Sequence, residues 1–96
     1  MDELMTAIEE MRRSRGWDKS DNLPILIKSV AVEAGELLEL IQWDEEKIDR
    51  QAVKGELADV LMYALTICTV EGWDPLEVVK TKIEDVYRRY PEVKNG

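Results

Sequence analysis

The chain contains no histidine. That absence removes a Ser-His-Asp triad, a histidine-ligated zinc and a Glu-x-x-His di-iron bundle site together. Any catalysis must then rest on carboxylates, lysine, tyrosine or a metal ion. Cysteine is nearly absent: Cys68 stands alone, cannot form an internal disulfide, and fits a reducing compartment. Basic residues are few beside acidic ones, 13 against 21, for a formal net charge of -8. A surface of that sign repels phosphate backbones and anionic headgroups, so neither a nucleic acid polymer nor a membrane is an expected partner. One small phosphorylated molecule held through metal ions stays compatible, because bound cations reverse the local charge. No apolar run approaches the roughly 18 residues that a membrane span needs. The acidic start MDELMTAIEEMRR has no signal-peptide character, and the expected location is the cytoplasm. Strand patterns, internal repeats and low-complexity tracts are missing as well.

What is present is helical periodicity. At 96 residues the chain is read as one domain, 1–96. A domain this small buries a modest share of its surface, so pairing with a second copy is expected. Four helices with short links are predicted. The first covers Asp2 to Ser14, with Leu4, Met5, Ile8 and Met11 at helical spacing and Gly16 as its stop. Residues Trp17 to Asn22 read as a loop. The second helix starts near Pro24, with Asp21 or Asn22 as its cap, and runs to about Trp43. Its apolar stripe includes Leu26, Val30, Leu37 and Ile41. An acidic link, Asp44 to Asp49, leads to the third helix, from Arg50 to about Val70, which Gly72 ends. Asp74-Pro75-Leu76-Glu77 is a helix start, the fourth helix runs to about Tyr90 before Pro91, and Glu92 to Gly96 form a polar tail.

The second and third helices carry the same device, Glu33-x-x-Glu36 and Glu56-x-x-Asp59. A spacing of three sets both carboxylates of a pair on adjacent turns of one face. If the short link makes these helices antiparallel, the pairs face each other across a groove. Four carboxylates so placed repel unless cations lie between them. Hard divalent cations take oxygen ligands, and magnesium combines a few carboxylates with water and substrate phosphates. In a chain with 21 acidic residues, a solvated Glu-x-x-Glu face is the ordinary alternative. Against it, none of the four has a lysine or arginine three or four positions away, and both pairs border the apolar stripes. Trp43 follows Glu36 by two turns and Tyr63 follows Glu56 by two turns, so rings for stacking share those faces. Such rings also serve as core or interface anchors.

The stretch ILIKSVAVEAGELLELIQW, followed by GELADVLMYAL, resembles the MazG-like superfamily of all-α nucleoside triphosphate pyrophosphohydrolases, most of all its dCTP pyrophosphatase type. The matching positions are Glu33, Glu36, Glu56 and Asp59, with Gln42-Trp43 and Tyr63 beside them. Arg15-Gly16-Trp17-Asp18 and Lys82-Ile83 with Arg89-Tyr90-Pro91 resemble flanking signatures. The resemblance covers roughly residues 13 to 91. It implies an all-α four-helix bundle assembled as a homodimer or homotetramer with sites formed between chains. It further implies hydrolysis of a (d)NTP to the monophosphate and pyrophosphate, with magnesium on the four carboxylates and manganese as a substitute. Trp17 and Trp43 would help hold the base, and Tyr63 would lie in the same pocket. Two positions depart from the family: Lys19-Ser20-Asp21-Asn22 stands where a histidine is frequent, and Val86 where an asparagine is common. Both bear on the base and leave the acidic quartet intact.

With no histidine, water activation falls to a metal, a carboxylate or both, with Glu36 and then Glu33 as catalytic candidates. Lys82 and Arg89 are candidates for pairing with phosphates, or the cations of a solvated helix end. Competing functions are a related pyrophosphohydrolase acting on phosphoribosyl-ATP, and a non-enzymatic helical module for dimeric interaction or nucleotide binding.

Overall fold

Helices are the only regular structure among residues 2–93, the part described by the computed structural model. Met1 and the Lys94–Gly96 end of the expected polar tail lie outside the described residues. The helices are α1 (Asp2–Ser14), α2 (Trp17–Ser20), α3 (Leu23–Gln42), α4 (Arg50–Glu71) and α5 (Pro75–Arg89). The four long ones match the predicted four, and the all-α class holds. Their ends are set by local chemistry. The Asn22 side chain accepts from the Ile25 amide, with Pro24 in the first turn of α3. Asp49 accepts from the Gln51 and Ala52 amides at the start of α4, and Asp74 from the Leu76 amide at the start of α5. Gly72 ends α4 at φ 74°, a left-handed value that glycine adopts without strain.

One expectation needs correction. Residues 17–20 are a short helical turn and not an open loop. Gly16 at φ 72° reverses the chain after α1 and lets it wind again at once. The Ser20 hydroxyl then donates to the Trp17 carbonyl, and the Asp21 amide to the same carbonyl.

α4 returns along α3 after the short link of residues 43–49. Residues 27–31 of α3 border residues 61–68 of α4, while Glu33 meets Glu56 and Asp59, so the two helices are antiparallel. α1 packs on α4 and on α2. Leu26, with no exposed surface, anchors the centre together with Ile8 and Thr66. Leu26→Ala is expected to cost about 2–5 kcal/mol, read by urea unfolding, because nothing else fills its volume. An unfolding midpoint equal to wild type would show the centre lies elsewhere.

α5 packs along none of the other helices and borders them only near its start, through Pro75, Val78 and Val79. The chain is accordingly long, 56 × 36 × 25 Å, with a radius of gyration of 16.6 Å. A compact domain of this length would have about 12.5 Å. Leu61, Leu76 and Val79 are each more than half exposed. Among the described helices, none is long and apolar enough to cross a membrane.

Candidate active site

The antiparallel pairing of α3 and α4 brings the two acidic pairs to one place. Carboxylate oxygens of Glu33, Glu56 and Asp59 lie within 4.8 Å of one another, all three side chains half-buried. Glu36 is more exposed and sits at the rim, near enough to hydrogen-bond with Glu33 and Glu56. Two oxygens, Glu33 Oε2 and Glu56 Oε2, are hidden from solvent and have no hydrogen-bond partner among the described residues. Anionic oxygens that are close, buried and bare of donors suit a hard divalent cation. The residues present therefore fit a magnesium-type ion.

Electrostatics carry the same signature. The Glu33 carboxyl is pushed up from its usual 4.5 to about 7. Its hydrogen bond with Glu36 is the largest cause, followed by desolvation and by repulsion from Glu36, Asp59 and Glu56. Glu56 is raised as well, by desolvation first, then by Glu36 and Asp59, with a hydrogen bond from Glu33 offsetting part of it. Tyr63 is raised by desolvation and then by the charges of Glu33, Asp21 and Asp59.

A raised carboxylate keeps its proton in the folded chain at pH values where the unfolded chain has lost it. The folded state then binds more protons, and stability falls as pH rises. Metal-free protein is expected to melt at progressively lower temperature as pH climbs from about 4.5 through about 7. Magnesium should restore the loss above that range and do little below it, where protons occupy the same oxygens. A thermal melt series with and without the metal checks this. A profile flat in pH and indifferent to magnesium would contradict it.

Beside the acidic cluster opens a cavity of about 260 Å³. Glu33 and Asp59 are part of its lining, Trp17 and Tyr63 supply rings, and Ile8, Met11 and Met62 are apolar lining. Arg12 and Asp21 add polar groups, joined by a 3.1 Å ion pair.

The remaining expected residues are placed elsewhere in the chain. Trp43 caps the end of α3 at 88 % exposure, outside the cavity. Lys82 and Arg89 lie on exposed α5, both paired with Asp85, at 3.6 and 3.1 Å. Arg12 and Met62 were not singled out from sequence, and Ile8 and Asp21 were read only as an apolar helix position and a candidate cap. A signal existed for Arg12: it follows Ile8 by four positions, which sets a charged residue on the buried stripe of α1.

A model of the MazG nucleotide pyrophosphohydrolase domain matches residues 21–94. The chain is 32% identical over 91 residues to dCTP pyrophosphatase 1 of Bos taurus, covering 85% of this chain and 54% of that protein. It is 29% identical to dCTP pyrophosphatase 1 of Mus musculus with the same coverage. It thus spans about half the length of these curated relatives. A crystal structure of a pyrophosphatase from Archaeoglobus fulgidus superposes with a TM-score of 0.88 at 39% identity, covering 96% of this chain and 93% of that one. With three quarters of its length matched by that family model and its fold by that structure, the chain belongs to the MazG nucleotide pyrophosphohydrolase family.

Proposed function

We propose that this chain, as a single domain over 1–96, hydrolyses a (deoxy)nucleoside triphosphate to the monophosphate and pyrophosphate with the help of magnesium. The observation that carries the reading is the convergence of Glu33, Glu56 and Asp59, two of whose oxygens are buried without a partner among the described residues, beside a cavity that Glu33 and Asp59 line with Trp17 and Tyr63. Glu36 completes the metal-binding set from the rim. Trp17 and Tyr63 hold the base, and the triphosphate extends from the cavity toward the carboxylates.

Glu33, Glu36, Glu56 and Asp59 would hold magnesium, or manganese in its place, which would supply positive charge to offset that of the triphosphate and of the group in transfer. A water attacks that phosphorus, the bond to the bridging oxygen breaks, and pyrophosphate departs. Glu36 takes the proton released by the water, being the carboxylate most open to solvent. Glu33 is the second carboxylate placed to take that proton.

In the assembled protein, a homodimer or homotetramer, Trp43, Lys82 and Arg89 reach a site from a neighbouring copy, the tryptophan toward the base and the cations toward phosphates. The unpacked α5 and its exposed apolar residues support such an assembly. The reaction belongs in the cytoplasm. A panel of the standard NTPs and dNTPs, with phosphoribosyl-ATP alongside, tests the proposal through magnesium-dependent pyrophosphate release. Turnover of at least one triphosphate is expected. Turnover of phosphoribosyl-ATP alone, or of nothing by folded and assembled protein, would overturn it.

A further inference from the structure

The Arg12–Asp21 pair lines the same cavity as Glu33 and Asp59 and is not part of the acidic cluster. Arg12 is 7% exposed, on the face of α1 that packs against α4. Its Nη2 donates to Asp21 Oδ2 at 3.1 Å, and that is the pair's one hydrogen bond. Arg12 Nε is buried and has no partner among the described residues. A clamp built only to tie α1 to the start of α3 would set two N–H groups against two oxygens, the side-on geometry that guanidinium and carboxylate favour. Here the contact is single, and a buried donor is left over on a side chain that lines the cavity together with Trp17, Tyr63, Thr66, apolar groups and the carboxylates of Glu33 and Asp59.

Resting on the function proposed above, we infer that Arg12 and Asp21 are the specificity-determining pair that reads the hydrogen-bonding edge of the base. Arginine only donates and an ionised aspartate only accepts. Their mutual hydrogen bond fixes the order of donor and acceptor along the cavity wall. Nucleobases differ in that order. Cytosine carries an amine beside a ring nitrogen that accepts, whereas thymine carries a carbonyl beside a ring N–H. At one ring orientation, an edge that matches the pair satisfies both groups, and the reverse edge leaves both unpaired. A dry site built to hydrogen-bond its ligand rejects a mismatched one more strongly than an apolar site does.

The test is calorimetric binding of dCMP and dTMP to the assembled protein with magnesium, which does not depend on turnover. Wild-type protein should bind the two with unequal affinity. Asp21→Asn keeps the shape but makes one position able to donate, and Arg12→Lys keeps the charge but removes the Nε donor. Each variant is expected to change the dCMP-to-dTMP affinity ratio by about tenfold or more, with binding of inorganic pyrophosphate unchanged. If both nucleotides weaken equally in both variants, the pair only positions α1, and the inference is overturned. It is overturned equally if wild type binds neither or does not distinguish them. Selective binding without hydrolysis would instead remove the proposed reaction and leave this assignment standing.

Discussion

Asp59→Asn and Glu56→Gln are each expected to abolish pyrophosphate release while raising the melting temperature of the metal-free protein. The two effects have one origin. Glu33, Glu56 and Asp59 crowd their oxygens within 4.8 Å, with Glu36 at their edge. Without a cation the crowding adds repulsion to the hydrogen bond with Glu36 and the desolvation that displace Glu33 upward to about 7, and to the desolvation that raises Glu56. Removing one charge relieves it, so the folded metal-free chain gains stability at neutral pH. The same change deletes a hard anionic ligand, and turnover should fall at least a hundredfold, since groups one layer further out already cost about 10–100-fold when lost. Thermal melts in chelator beside a pyrophosphate assay read both effects. Ordinary structural carboxylates would behave differently, losing stability when neutralised and leaving activity in proportion to folding.

A second large effect is expected at the apolar groove. Ile27, Leu61, Cys68, Val78 and Val79 border it, and Leu61 and Val79 remain more than half exposed. Wild-type protein should sediment as a dimer or tetramer. Leu61→Glu should shift it to monomer and lower helix content along with it. Each apolar side chain of this size contributes about 1.5–3 kcal/mol when buried, and a two-fold interface counts every substitution twice. Sedimentation velocity with circular dichroism decides the matter. A helical, stable wild-type monomer would contradict it.

Much of this was legible in sequence because it is local. Asn22, Asp49 and Asp74 cap helices through amides two or three residues away, and glycine 72 stops α4 by its own backbone freedom. The i, i+3 spacing of each acidic pair needs only helix geometry and one antiparallel turn to bring Glu33 to Glu56 and Asp59. What was hidden is what one helix's pattern cannot hold. The apolar stripe of α5 announces that a face is to be covered and says nothing of what covers it. Arg12 and Asp21 are nine residues apart and meet only because Gly16 reverses the chain. Trp43 shares a helical-wheel direction with Glu36, yet seven residues carry it about 10 Å along the axis, beyond the reach of the cavity in the same protomer.

The most direct measurement is a calorimetric titration of the assembled, metal-free protein with magnesium, repeated on a variant with Glu33, Glu56 and Asp59 all changed to their amides. Saturable binding by wild type, strengthening as pH rises past about 7 and absent from the amide variant, is the expected result. Equal heats from both proteins, or none from either through the millimolar range, would mean that these carboxylates hold no cation.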